Sequence, residues 1–291
     1  AANTTGGNNS AFGFQALNAC TTGTNNVAIG LDSGKNISTG SSNVFVGSEA
    51  GEDTTTADNN TGVGRKALFA NTTGNQNTAV GFEALDANTT GANNVAMGDS
   101  SLSSNTTASN NTALGRATLN SNTTGSDNTA VGFQSLLLNT TGAKCTAVGK
   151  NSLVNNTTAN NNTAVGHDAL NANTTGTENT AVGYQALDAN TTGDDNNAFG
   201  RDALGGVTTG SKNTAVSAAG SSITTGSNNL CLGYNAGSSA SPSGSITTGS
   251  NNVVLGDNNI SSLFCADTSI SSSDSRDKTD VTSFNVGLAW I

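Results

Sequence analysis

One place in the chain sets a nucleophile near a base. In Ser271-Ser272-Ser273-Asp274-Ser275-Arg276-Asp277-Lys278, Ser273 precedes Lys278 within a single polar run. A serine hydroxyl attacks a neighbouring peptide carbonyl once a base takes its proton, and a desolvated lysine can be that base. The chemistry would be cleavage of the chain's own backbone. The competing reading is a solvated polar linker.

Other reactive residue types are scarce and scattered. His167 is the sole histidine, with no cluster of cysteines or carboxylates beside it, so a metal role is not expected. Asp and Glu are too dispersed for calcium-binding repeats, and no cofactor is expected. Cys20, Cys145, Cys231 and Cys265 lie far apart, without the short spacings of zinc or redox motifs. They read as isolated buried thiols or as contacts between chains. Asn-Thr-Thr triplets recur at Asn71, Asn88, Asn105, Asn122, Asn139, Asn156, Asn173 and Asn190. They are formal glycosylation sequons, but their regular spacing is explained by a repeat alone. Paired threonines also raise an ice-binding hypothesis. Neighbours on a strand face opposite ways, so the pair offers one outward column instead of two.

Composition narrows the function classes. The 291 residues (28.6 kDa) carry a net charge of −10, with no cluster of Lys and Arg, which argues against nucleic acid as a partner. No apolar run approaches the length of a membrane span, and a chain opening on Ala1 reads as a fragment or processed product. Only 33% of residues are hydrophobic and 4% aromatic, too few for an ordinary core. Charged residues are only 10% and there is one proline, which is unlike a disordered chain.

A repeat resolves the conflict. The string N-T-A-V-G recurs with its glycine at every seventeenth position from Gly13 to Gly200, and Ser217 holds the next register. One unit reads N-T-A-V-G-[FYR]-[QED]-A-L-[DN]-A-N-T-T-G-x-N. Each offers two short apolar patches, such as Ala79-Val80 and Ala84-Leu85, separated by turn glycines. The fold expected is all-β: a parallel β-solenoid or β-roll, with two short β stretches per coil. A single turn in A-L-x-A-N is the one helical element the pattern admits. Residues 1–217 form the shaft of thirteen repeats, 218–262 an irregular transition, and 263–291 a separate C-terminal segment.

Stacked coils place like on like. Val63, Val80, Met97, Leu114 and Val131 are expected to form one internal column, and Leu68, Leu85, Leu102, Leu119 and Leu136 another. Asn and Thr columns are expected outside or at turns, with Asn amides bonded in ladders. So thin a core calls for oligomerisation, and a homotrimer fits. The residue after the repeat glycine (Phe14, Leu31, Arg65, Phe82, Arg116, Phe133, Lys150, His167, Tyr184, Arg201) is expected at the surface. Its variation reads as low constraint, although its aromatic and Arg members could stack on receptor sugars.

The repeats resemble the head repeats of trimeric bacterial surface adhesins. They are more similar still to the N-T-A-V-G-Y-Q-A-L repeats of phage and marine viral fibre proteins. Leu263-Phe264-Cys265, Thr268-Ser269-Ile270 and the Ser271–Lys278 run resemble the opening of the endosialidase-type intramolecular chaperone, a self-cleaving trimerisation domain. Its S-D-x-R-x-K hallmark matches Ser273 to Lys278. Its G-L-D-F-I-like segment is matched by Gly287-Leu288-Ala289-Trp290-Ile291, with Ala289 where an acid is common.

The resemblance implies Ser273 as nucleophile, Lys278 as base or its partner, and Asp274 and Arg276 as supporting residues. It implies single-turnover self-processing with no turnover of a substrate, in a domain that would run on past Ile291. It also implies the shaft of a homotrimeric viral tail fibre or appendage, located on the virion and engaged in host attachment. The partner would be a host cell-surface glycan or protein. A bacterial adhesin, extracellular or at the cell surface, and an ice-binding solenoid are the alternatives.

Overall fold

The computed structural model describes residues 3–262. Ser273, Asp274, Arg276 and Lys278, with the rest of the C-terminal segment, lie outside the described residues.

Fifteen three-residue strands pair in chain order into one parallel sheet, from β1 (Ser10–Phe12) to β15 (Val253–Leu255). Each residue pairs with the one a repeat later, as Thr78↔Val95 and Ala79↔Ala96 do. A single chain therefore completes every coil, and no helix is present among the described residues. At one strand spacing per coil the stack is roughly 65 Å long. The chain forms an all-β, parallel β-solenoid, as the 17-residue period predicts.

Only one strand forms per coil. The A-L-x-A segment is neither a second strand nor a helical turn; it is a run of tight turns. In the coil after Gly64, Ala67 N donates to Gly64 O (3.3 Å), Phe69 N to Lys66 O (3.2 Å) and Asn71 N to Leu68 O (3.2 Å). The amides between them donate to neighbouring coils: Lys66 N to Ser48 O (3.0 Å), Leu68 N to Ala84 O (3.0 Å) and Ala70 N to Asp86 O (2.8 Å). This alternation gives each amide from Lys66 to Asn71 a partner. It also forces φ of 59° at Lys66 and 57° at Leu68, a conformation costly for a residue with a Cβ. Burying a leucine, at about 1.5–3 kcal/mol, offsets that cost.

The leucine column lies inside as expected: Leu68, Leu85, Leu102, Leu119 and Leu136 are fully buried. The valine column does not. Strand centres such as Ala79, Ala96 and Ala113 are fully buried, while Val63, Val80, Leu114 and Val131 are half-exposed and Met97 is exposed. The coil is too thin to hold a branched side chain on both walls, so the smaller member of each Ala-Val pair turns inward. Phe45 marks the limit. It occupies a strand centre only where Gly34 and Gly51 replace leucine and Gly62 replaces the next strand's alanine.

The stack continues past Ser217. β13 (Thr214–Val216) pairs with β14 (Leu230–Leu232) and β14 with β15, through coils of 16 and 23 residues. Both length changes fall in the turn-rich corner, between 217 and 224 and between 236 and 246. The strand and the Thr-Thr-Gly edge keep register there, with Thr208 Oγ1 donating to Thr224 O and Thr224 Oγ1 to Thr247 O.

Candidate functional site

Asparagine supplies the interior's polar chemistry. The asparagines bond in ladders at the turns, as expected, but the outward placement fails, because both ladders are buried. In the first, Asn43 N and Nδ2 donate to Asn26 Oδ1 (3.0 and 3.1 Å), and Nδ2 also donates to Ala57 O (2.8 Å). Asn60 repeats the pattern on Asn43. Each side chain thus ties its coil shut and grips the coil before it. Buried amides cost free energy unless paired, so the ladder fixes both register and coil closure.

The second ladder contains all eight sequon asparagines. Asn88 Nδ2 donates to Asn71 Oδ1 (2.8 Å) and to Gly91 O (2.9 Å), and the pattern runs on to Asn190. All eight are fully buried with their amide nitrogen engaged, so none of the eight is a glycosyl acceptor in the folded chain. The ladder stops where Val207 replaces the next asparagine, and Asn190 Oδ1 is left without a donor. The first threonine of each pair is engaged too: Thr72 Oγ1 donates to Thr89 O (2.9 Å). Only the second threonine, as at Thr73 and Thr90, is exposed.

Cys20, Cys145 and Cys231 are free and buried, which makes them interior thiols and not contacts between chains. Cys145 takes an asparagine's place in the first ladder. It accepts the register through its own N–H to Asn128 Oδ1 (2.9 Å), and its Sγ donates to Ala159 O (3.4 Å). Burial pushes its thiol up to about 11, which keeps it protonated and unreactive.

Outward, two surfaces stand out. The first is the outer face of the sheet, with side chains from strand positions one and three: Thr78 and Val80, Val95 and Met97, Thr112 and Leu114. All fifteen strands are uncharged at both positions. Comparison with known protein families, characterised proteins and solved structures finds no match for this chain. Its surfaces must therefore be read from their own chemistry.

The second surface is the column just past the repeat glycine, which is exposed as expected. Phe82 is 41% exposed, Phe133 37%, Tyr184 49% and Tyr234 59%. Arg65 lies over the Phe82 ring at 5.4 Å, Arg116 over Phe133 at 5.6 Å, and His167 stacks on Tyr184 at 5.6 Å. By residue type alone the column varies without pattern. Sorting the column by coil, and not by residue type, is the signal that exposes its order.

Among the described residues, ionisable groups do not converge on a catalytic arrangement. Among the described residues no three His, Cys, Asp or Glu side chains form a metal-binding cluster, and no helix is long and apolar enough to cross a membrane. Asp86 is the most perturbed acid. Burial, then the nearby Glu83 charge, raise its carboxyl to about 6, and its Oδ1 has no hydrogen-bond partner. Asp188 is raised by the same burial at the equivalent position two apolar turns after Tyr184.

Proposed function

We propose that this chain is the shaft of a homotrimeric phage-type tail fibre or appendage that serves in host attachment on the virion. The observation that carries the reading is the outward strand face: uncharged from β1 to β15, and rich in Val, Leu, Ile, Phe and Thr. A soluble chain rarely leaves so long an apolar strip bare. Its footprint, roughly 65 by 10 Å, is near what one partner gives to a standard interface. A second copy presents the same strand spacing and so meets it coil for coil. Three such faces around one axis bury the strip in a rigid rod.

Near-identical coils can pair one repeat out of register at little cost, so three chains need a device that aligns their ends. Segment 263–291, through its resemblance to the self-cleaving chaperone, supplies that role. Ser273 would be the nucleophile and Lys278 its base, supported by Asp274 and Arg276. Cleavage after assembly would leave a kinetically trapped shaft.

Sedimentation tests the reading. The protein should run at three times its 28.6 kDa chain mass, and Val131→Glu with Val148→Glu should lower that mass. A wild-type monomer at micromolar concentration overturns it. For the C-terminal step, a chain extended through the complete domain should cleave, and Ser273→Ala should stop it.

One observation favours a second reading. The outward Thr-x-Val rank, as in Thr129 and Val131, is regular and uncharged, which suits ordering of water on ice. Thermal hysteresis in dilute protein would support it, and its absence would dismiss it.

A further inference from the structure

The exposed column past the repeat glycine has a period of its own. Phe82, Phe133, Tyr184 and Tyr234 each stand three coils apart, following the strands Thr78–Val80, Thr129–Val131, Thr180–Val182 and Leu230–Leu232. The coils between them carry charged or small residues at that position: Asp99 and Arg116, Lys150 and His167, Arg201 and Ala218. Phe14 stands outside this period. The 16-residue coil keeps Tyr234 in line, with Gly233 N donating to Val216 O at 3.1 Å. At one strand spacing per coil, the rings recur about every 14 Å along the rod.

The rings share parts of their surroundings. The preceding coil braces three of them: Arg65 on Phe82, Arg116 on Phe133 and His167 on Tyr184. A side chain with amide or carboxyl oxygens follows each ring directly: Glu83, Gln134, Gln185 and Asn235. These four share a left-handed backbone, with φ of 50°, 56°, 52° and 57°. The turn that sets this geometry is locked by backbone bonds to adjacent coils, such as Gln134 N to Arg116 O (3.2 Å), so the backbone that carries ring and neighbour is set before any ligand arrives.

We propose that this column is a binding ladder for an extended neutral polysaccharide, with a sugar ring stacked at every third coil. The proposal rests on the attachment reading of the shaft and names its ligand class. An extended pyranose chain advances by about one strand spacing per sugar, so every third sugar meets an aromatic ring. The ring takes the apolar face of the sugar, and the adjoining Gln, Glu or Asn takes its hydroxyls.

Charge excludes a polyanion. Three of the column's four Arg and Lys side chains lie near a carboxylate, Arg65 and Glu83 (4.0 Å), Arg116 and Asp99 (3.9 Å), and Arg201 and Asp202 (3.5 Å), and Lys150 stands alone between them. With the chain at −10 overall, no unbalanced positive stripe remains for phosphate or uronate.

The test is native electrophoresis of the whole protein through gels containing one dissolved polysaccharide: a galactomannan, a β-glucan or, as the anionic control, alginate. A neutral polymer should retard the wild type. Phe133→Ala should weaken retardation and Phe133→Ala with Tyr184→Ala should lower apparent affinity roughly a hundredfold, since the sites act in series along one chain. Phe133→Tyr should keep it. All three variants are at exposed rings, and circular dichroism melting should match wild type. The ladder is refuted if no neutral polymer retards the protein, if only alginate does, or if the double variant binds as wild type. It is also refuted if the double variant changes sedimentation mass, because the rings would then be a contact between copies. A trimer that no polymer retards refutes the ladder and spares the shaft; a retarded monomer supports the ladder and overturns the trimer.

Discussion

Asn122 shows what one residue does in this fold. Its Nδ2 donates to Asn105 Oδ1 (3.0 Å) and Gly125 O (2.9 Å), and its Oδ1 accepts from Asn139 Nδ2 (2.9 Å). Asn122→Ala removes all three bonds, strands buried polar atoms and opens a cavity, for a cost of about 3 kcal/mol. Thr124→Ala, two residues on and exposed, should fall within about 0.5 kcal/mol of wild type. Thermal melting of both variants checks the contrast; equal losses would mean that the ladder is not under load. Asp86 gives the pH counterpart. Its folded carboxyl titrates at about 6, above its unfolded value, so the folded state holds that proton more tightly. Stability from this group is present in acid and lost as pH rises from about 4 through 6. Asp86→Asn should therefore raise the melting temperature at pH 7 and change it little at pH 4. An equal gain at both pH values would contradict burial as the cause.

At the scale of the element, the coil divides into positions that need glycine and positions that merely favour it. Gly132 has φ of 122° and sits against the Gly149 backbone, so a methyl there meets both strain and a clash. Gly125 has no positive φ; a methyl there would press on Gly142 O and the Asn122 side chain, but Ala57, Ala108 and Ala159 occupy its column in other coils, so the neighbouring coil can give way. Gly132→Ala should cost about 2–3 kcal/mol or more and Gly125→Ala less, with hydrogen exchange showing the loss confined to adjacent coils. The reverse order would overturn the division. Ser217, where the repeat glycine is missing, takes φ of 73° and opens the one-residue-short coil. The period, parallel stacking and leucine column were legible because a strict 17-residue step admits little else. The Ala-Val pair was not, since alternation says that two neighbours face apart but leaves open which faces in. Interior width decided that, and it depends on the Asn and Gly columns of adjoining coils. The turn run was hidden because leucine at positive φ goes against its local preference.

Across the whole molecule, a chain poor in large apolar groups stays folded by repeating one coil with a polar spine. Its variability is confined to one corner, where coils of 16 and 23 residues are absorbed. Its surface is divided between an uncharged strand face and a column of regularly spaced rings. The Ser273 and Lys278 pair was legible as residue types in one polar run, and resemblance alone raised it above a solvated linker; it lies outside the described residues. In the proposed fibre, three complete single-chain solenoids pack by their strand faces into one rod. Cryo-electron microscopy of the rod, with its axial power spectrum, is the decisive measurement. The proposed packing requires a threefold cross-section with the strand faces inward and a rise of about 4.8 Å per 17-residue repeat. A rise near 14 Å, marking intertwined chains, or a section containing one solenoid alone, would contradict it.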